Sequence, residues 1–213
     1  MYLGPAFANG DTSYCFATCS SGITNAAPGG SSDGDVTLGD FTCDEAKGGL
    51  NSDTFVSSQN GYITLPKNIA TSEPRTVAIL IKHATIYGTS GSKVPREFRQ
   101  RNTIYLNSEA WPHARGEVIN GGRCDFAGPY SNVYSTTEFV LVVITADGTT
   151  LSMYKNGVKL GDTACSKVPE GNSNPLQLGG NGMAGTIKSF AMWNRALSAT
   201  EVASIDSSKL TCT

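Results

Sequence analysis

Between Trp111 and Tyr134 the chain gathers side chains suited to holding a sugar. An aromatic ring can cover the apolar C–H face of a pyranose, while Asn, Asp and Arg meet its hydroxyls in fixed geometry. Trp111, Arg123, Asp125, Tyr130 and Asn132 are therefore the candidate carbohydrate-binding residues, with His113 in the same stretch. The competing reading is that Trp111 and the tyrosines only anchor a long loop to the body of the protein. A second group, Arg96, Arg99 and Arg101, could grip an anion. In an extended chain Arg99 and Arg101 share one face and Arg96 takes the other. With Glu97 among them, a solvated surface is the better reading of this group.

Hydrolytic chemistry on a sugar needs two carboxylates facing one bond, and alternate positions of one strand are a simple way to arrange them. No E-x-D-x-E run or similar exists here. Asp44 and Glu45 are adjacent, so a strand would point them to opposite faces. Asp33 and Asp35 sit in a Gly-rich turn. No G-x-S-x-G elbow is present, and the two histidines are His83, at the end of an apolar run, and His113, after Trp111-Pro112. No catalytic residue is assigned, and the chain reads as a non-enzyme.

The six cysteines are Cys15, Cys19, Cys43, Cys124, Cys165 and Cys212. They are even in number, dispersed, and away from both histidines, so disulfides are expected rather than zinc. Six cysteines allow fifteen pairings, and sequence does not choose among them. We expect three bridges, with Cys212 tying the C-terminus back to the body. Oxidised cysteines place the chain outside the cell or at its surface. The start, Met1-Tyr2-Leu3-Gly4-Pro5, lacks a basic segment followed by an apolar stretch, so residues are expected to be missing before Met1 or already removed. Net charge is −2 with no basic patch, which argues against nucleic acid as a partner. No apolar run is long enough to span a membrane.

The elements that must position these residues are short strands. Phe139 to Thr145, FVLVVIT, is apolar on both alternating sets, as in a central strand buried on both faces. Val77, Ile79 and Ile81 alternate with Ala78, Leu80 and Lys82, giving one wholly apolar face and one mixed face. Asp147-Gly148 and Asn156-Gly157 are hairpin signals of type I′, with Thr150 to Lys155 the strand between them. Ser90 to Arg101 reads as a polar loop, and Asn107 to Glu138 as long and irregular. Many short strands with one late helix predict an all-β protein, an antiparallel two-sheet sandwich of jelly-roll type. Residues 1–50 are expected to form a Gly/Ser-rich segment on or beside the sandwich, which occupies 51–213.

The late helix has a clear beginning. Ser198-Ala199-Thr200-Glu201 has the spacing of a capping box, and Val202 and Ile205 share one helical face. Before it come Gly179, Gly180 and Gly182 in a turn, then Gly185, Ile187, Phe190, Met192 and Trp193 of a strand, then Asn194-Arg195-Ala196-Leu197.

This order resembles the closing segment of laminin-G-like domains, within the concanavalin A-like lectin/glucanase superfamily. Gly61 to Pro66, Thr76 to Lys82 and Phe139 to Leu160 extend the resemblance over roughly residues 54 to 206. It implies a concanavalin A-like jelly roll with one short C-terminal helix. It also implies a non-catalytic extracellular recognition module, of lectin or adhesion kind, that binds glycans or glycoproteins. The alternative is a structural subunit of a cell-surface or extracellular assembly such as a filament, with self-association through the N-terminal segment. Calcium is the cofactor the resemblance makes a candidate, with Asp125, Asn132, Asp147 and Asp162 as loop ligands. The family often places acids after the closing-strand isoleucine, and this chain has Lys188 and Ser189 there instead.

Overall fold

The computed structural model describes residues 12–16, 19–21, 23, 36–52, 61–65, 71–85, 96–100, 104–109, 113–120, 122–129, 133–180 and 183–205. Its strands are β1 (Thr12–Cys15), β2 (Thr42–Asp44), β3 (Gly49–Ser52), β4 (Ile63–Thr64), β5 (Arg75–His83), β6 (Arg96–Gln100) and β7 (Ile104–Glu109). They continue with β8 (His113–Ile119), β9 (Arg123–Pro129), β10 (Val140–Ala146), β11 (Thr150–Lys155), β12 (Val158–Ala164), β13 (Leu176–Leu178) and β14 (Gly185–Trp193). The helix α1 (Ala199–Ser204) follows them.

The strands form two antiparallel sheets. The first has the order β12-β11-β10-β5-β14-β3-β2, with β1 also on β14, and the second has β4-β13-β6-β7-β8-β9. Period-2 alternation sends Val77, Ile79 and Ile81 of β5, and Val140, Val142 and Ile144 of β10, into the space between them. There they meet Phe98, Ile104, Leu106, Val118, Leu176 and Leu178 of the second sheet. Phe98 and Phe190 stack across the gap with ring centroids 5.2 Å apart. The all-β jelly roll expected from sequence is the observed architecture.

The opposite alternation set of β5, β10 and β14 is apolar too. Ala78, Leu80, Leu141, Val143, Ala191 and Trp193 form a second cluster under Leu197, Val202 and Ile205. The helix lies over this outer face because Ser198 caps it. The Ser198 hydroxyl accepts from the Glu201 N–H, and a Glu201 carboxylate oxygen accepts from the Ser198 N–H at 2.9 Å. All seven residues of β10 are buried, as its composition predicts.

One edge of β14 serves two strands. Gly185 to Ile187 pair with β3, and Ser189 to Met192 pair with β1. Lys188 lies between, and its carbonyl accepts from the Phe16 N–H at 2.8 Å. Disulfides join Cys19 to Cys43 and Cys124 to Cys165. Loop closure of those lengths stabilises the folded state by about 3.5 and about 4 kcal/mol in the chain-entropy picture. Cys15 is also disulfide-bonded, and Cys212 lies outside the described residues. Among the described residues no helix is long and apolar enough to cross a membrane.

Three local expectations need correction. The stretch read as irregular contains β8 and β9, joined residue for residue from His113↔Pro129 to Ile119↔Arg123. The stretch read as a polar loop contains β6, whose Phe98 faces the core. The Asp147-Gly148 connection is not a type I′ turn. Gly148 alone has positive φ, at 89°, and Asp147 Oδ1 accepts from the N–H groups of Thr149 and Thr150, both at 2.7 Å. A carboxylate that caps two backbone donors turns the chain without a second left-handed residue. Asn156-Gly157 does take positive φ twice, 49° and 82°.

Candidate functional site

One row of register positions across the second sheet is occupied by polar residues. Cross-strand register aligns Thr64 with Gln177, Gln177 with Arg99, Arg99 with Tyr105, Tyr105 with Glu117, and Glu117 with Asp125. One step along each strand, the neighbouring row is Ile63, Leu178, Phe98, Leu106, Gly116 and Phe126. Ile63, Leu178, Phe98 and Leu106 of that neighbouring row lie in the core. Six strands at the usual spacing make the polar row about 24 Å wide.

The row differs along its length. On β6 the Arg99 side chain is buried. Arg99 Nε donates to Gln177 Oε1 at 2.7 Å, and the guanidinium carbon stands 4.0 Å from the Tyr62 ring centroid. A buried cation needs such partners, because its lost hydration would otherwise dominate. Tyr62 is held against Gly180, where φ is +150° and a Cβ would meet the ring at 2.3 Å, so only glycine fits. This corrects the solvated reading of Arg99. Arg96 belongs to β6, and Arg101 lies outside the described residues. At the β9 end Asp125 and Arg123 are exposed, with Arg123 Nε 3.6 Å from Asp125 Oδ1. An exposed pair of this kind adds little stability.

Of the five predicted sugar contacts, the structure brings Arg123 and Asp125 together. Trp111, Tyr130 and Asn132 lie outside the described residues. Their described flanks meet at the far end of β8 and β9: Glu109 pairs with His113, and His113 pairs with Pro129. Arg123 lies about 20 Å from Pro129 along the strand. Thr64, Gln177 and Tyr62 went unremarked in the sequence reading. Their signal was present in short alternations, Ile63-Thr64-Leu65 and Leu176-Gln177-Leu178, that put one polar residue between two buried ones.

The groups considered for other chemistry are engaged elsewhere. His83 is buried, its ring 4.6 Å from that of Tyr134, and burial pushes its pKa down to about 3. A neutral imidazole inside the protein does not face a substrate. Asp147 caps its turn, and contacts with Thr149 and Thr150 lower its pKa despite partial burial. Asp162 pairs with Lys159 and Asp125 with Arg123. Among the described residues these three carboxylates do not converge on one point. Cys19, Cys43 and Glu45 do lie close together, but the two sulfurs are bonded to each other and offer no thiolate.

A family model described as the concanavalin A-like lectin/glucanases superfamily, of laminin-G type, matches residues 57–203. The chain belongs to this superfamily. Among solved structures it is similar to the binding domain of botulinum neurotoxin serotype G, with TM-score 0.68 and 14% identity over 92% of this chain and 50% of that one. It is similar to the binding domain of Paraclostridial mosquitocidal protein 1, with TM-score 0.68 and 13% identity over 92% and 52%. A third is the ligand-binding domain of botulinum neurotoxin serotype D in complex with N-acetylneuraminic acid, with TM-score 0.65 and 14% identity over 92% and 50%. At such identities the likeness is one of fold, and this chain spans about half the length of those chains. A search of curated proteins finds no significant sequence match.

Proposed function

We propose that this chain is a glycan-recognition module without catalytic activity, working outside the cell or at its surface. The observation that carries this reading is the row of polar register positions across the second sheet, which ends at the exposed Arg123 and Asp125. A row of residues able to hydrogen-bond, about as wide as several sugar rings, suits hydroxyl-rich ligands better than apolar ones. Two features support it: a neurotoxin domain of the same fold was solved with N-acetylneuraminic acid, and the disulfides suit an oxidising compartment.

A glycan array is the test, probed with the wild-type chain and with Asp125→Ala, with and without calcium. We expect binding to a defined group of glycans, weakened about tenfold by Asp125→Ala through loss of a charge-assisted hydrogen bond. Silence across the array under both conditions would sink the reading. Release of reducing ends from a bound polysaccharide would replace it with a hydrolase, since Glu117 and Asp125 are register partners. Calcium, if it takes part, draws on ligands beyond the engaged Asp147 and Asp162, and chelation then abolishes binding. A structural role in an extracellular assembly has less behind it, because β1 is paired with β14 of its own chain.

A further inference from the structure

Phe139 stands at the margin of the first sheet's outer face, packed against the second apolar cluster. Two ammonium groups lie over its ring. Lys82 Nζ is 5.1 Å from the centroid and Lys188 Nζ is 5.5 Å from it. Lys82 comes from β5. Lys188 comes from β14, at the bulge where the register with β5 shifts between Ile187 and Ser189. The extra residue lets Ile187 and Phe190 both reach the core while Lys188 stays on the outer side.

The β2–β3 turn closes one side. A Cβ at Gly48 would stand 3.3 Å from Phe139 Cε2 and Cζ. On that turn Lys47 is matched by Asp44, with Nζ 3.6 Å from Oδ2. Thr186 and Asn51, beside it, hydrogen-bond each other at 2.9 Å. Lys82 and Lys188 have no such match: each contacts the ring, and neither has a carboxylate partner among the described residues. Two half-buried like charges gathered on one ring repel each other. The negative ring face offsets part of that, and an anion between them removes the rest.

We propose that Lys82, Lys188 and Phe139 form an oxyanion-binding site that takes a sulfate or carboxylate group. The site lies on the first sheet, apart from the polar row of the second, so each can fail without the other. The oxyanion has two sources, a free ion or a substituent on a polysaccharide, and both would present the same oxygens to the two ammonium groups.

The test is a titration with inorganic sulfate, and separately with sulfated dextran against unsulfated dextran, followed by the aromatic NMR signals of Phe139. We expect Phe139 to shift with sulfate. Lys82→Gln and Lys188→Gln should each weaken the response roughly fivefold. The double variant Lys82→Arg, Lys188→Arg should keep it, which separates lost charge from lost fold. Asp125→Ala should leave it unchanged. If sulfated dextran binds more tightly per sulfate than the free ion and unsulfated dextran does not bind, the site reads a substituted polysaccharide. If the two bind equally per sulfate, it reads the free ion. An unmoved Phe139 in every arm overturns the site, as does an equal loss of response in the distant charge control Lys155→Gln.

Discussion

The two sheets alternate with the same period, yet their outer faces meet different ends. On the first, the outward residues of β5, β10 and β14 are Ala78, Leu80, Leu141, Val143, Ala191 and Trp193. Such a face must be covered, and a linker with a single capped helix of six residues covers it. On the second, the outward register positions are Thr64, Gln177, Arg99, Tyr105, Glu117 and Asp125. There Arg99 is buried against Tyr62, while Asp125 is exposed. The same backbone pattern yields a sealed face where both alternation sets are apolar, and a row of polar positions where one set is polar. The oxyanion site proposed at Phe139 sits on the boundary of the sealed face, where the apolar set gives way to Lys82 and Lys188.

The sharpest way to break this contrast is to empty the sealed face. Leu141 has no exposed surface although it points away from the main core. Leu141→Ala should cost about 3 kcal/mol, as a true core truncation does. Urea unfolding measures it. A cost below about 1 kcal/mol would mean that the helix covers this face loosely and that both outer faces are in effect open.

A smaller effect tests the rim of β5. His83 is neutral in the folded protein because burial lowers its pKa from 6.5 to about 3. The unfolded chain therefore binds a proton that the folded chain refuses at intermediate pH. The stability it permits is complete above about pH 6.5 and declines as pH falls toward 3, by roughly 2 kcal/mol at about pH 5. His83→Phe should flatten that part of the pH–stability curve. An unchanged slope in the variant would show that other groups carry it.

How much of this was legible beforehand depends on residue size. β10 and α1 announced themselves, the first by the six apolar residues from Phe139 to Ile144 and the second by Ser198 and Glu201. β8 and β9 did not. Gly116 of β8 faces Ile144 and Met153, and a Cβ there would come within 2.9 Å of Ile144 Cγ2. The facing sheet is bulky at that point, so β8 must be small, and small residues give no hydrophobic alternation to read. Arg99 was misjudged for a related reason. Its burial depends on Tyr62 and Gln177, which are distant in sequence, and no local pattern reports such partners. Arg123 and Asp125, two of the residues singled out from sequence, are two residues apart on one strand. The row they join exists only through strand pairing.

The helix that seals the first sheet offers a finer probe. Ser198→Ala removes the acceptor for the Glu201 N–H, and the loss of one cap costs about 1 kcal/mol. Because Val202 and Ile205 pack on Leu141 and its neighbours through this helix, hydrogen exchange should speed up at the outer cluster before it does at the inner core. Uniform acceleration throughout would mean that the two clusters unfold as one unit, and the distinction between a sealed face and the main core would lose its energetic meaning.

The smallest effect belongs to the open face, and it is informative because it is small. Asp125 is exposed, and its ion pair with Arg123 is long and solvated. Asp125→Ala should change stability by less than about 0.5 kcal/mol. The glycan-binding reading requires the same substitution to weaken binding about tenfold. A residue that matters to a ligand and not to the fold is what an open face should contain, and Leu141 is its opposite. If Asp125→Ala destabilises the protein as Leu141→Ala does, the polar row is part of the structural frame, and the ligand must be sought elsewhere on the surface.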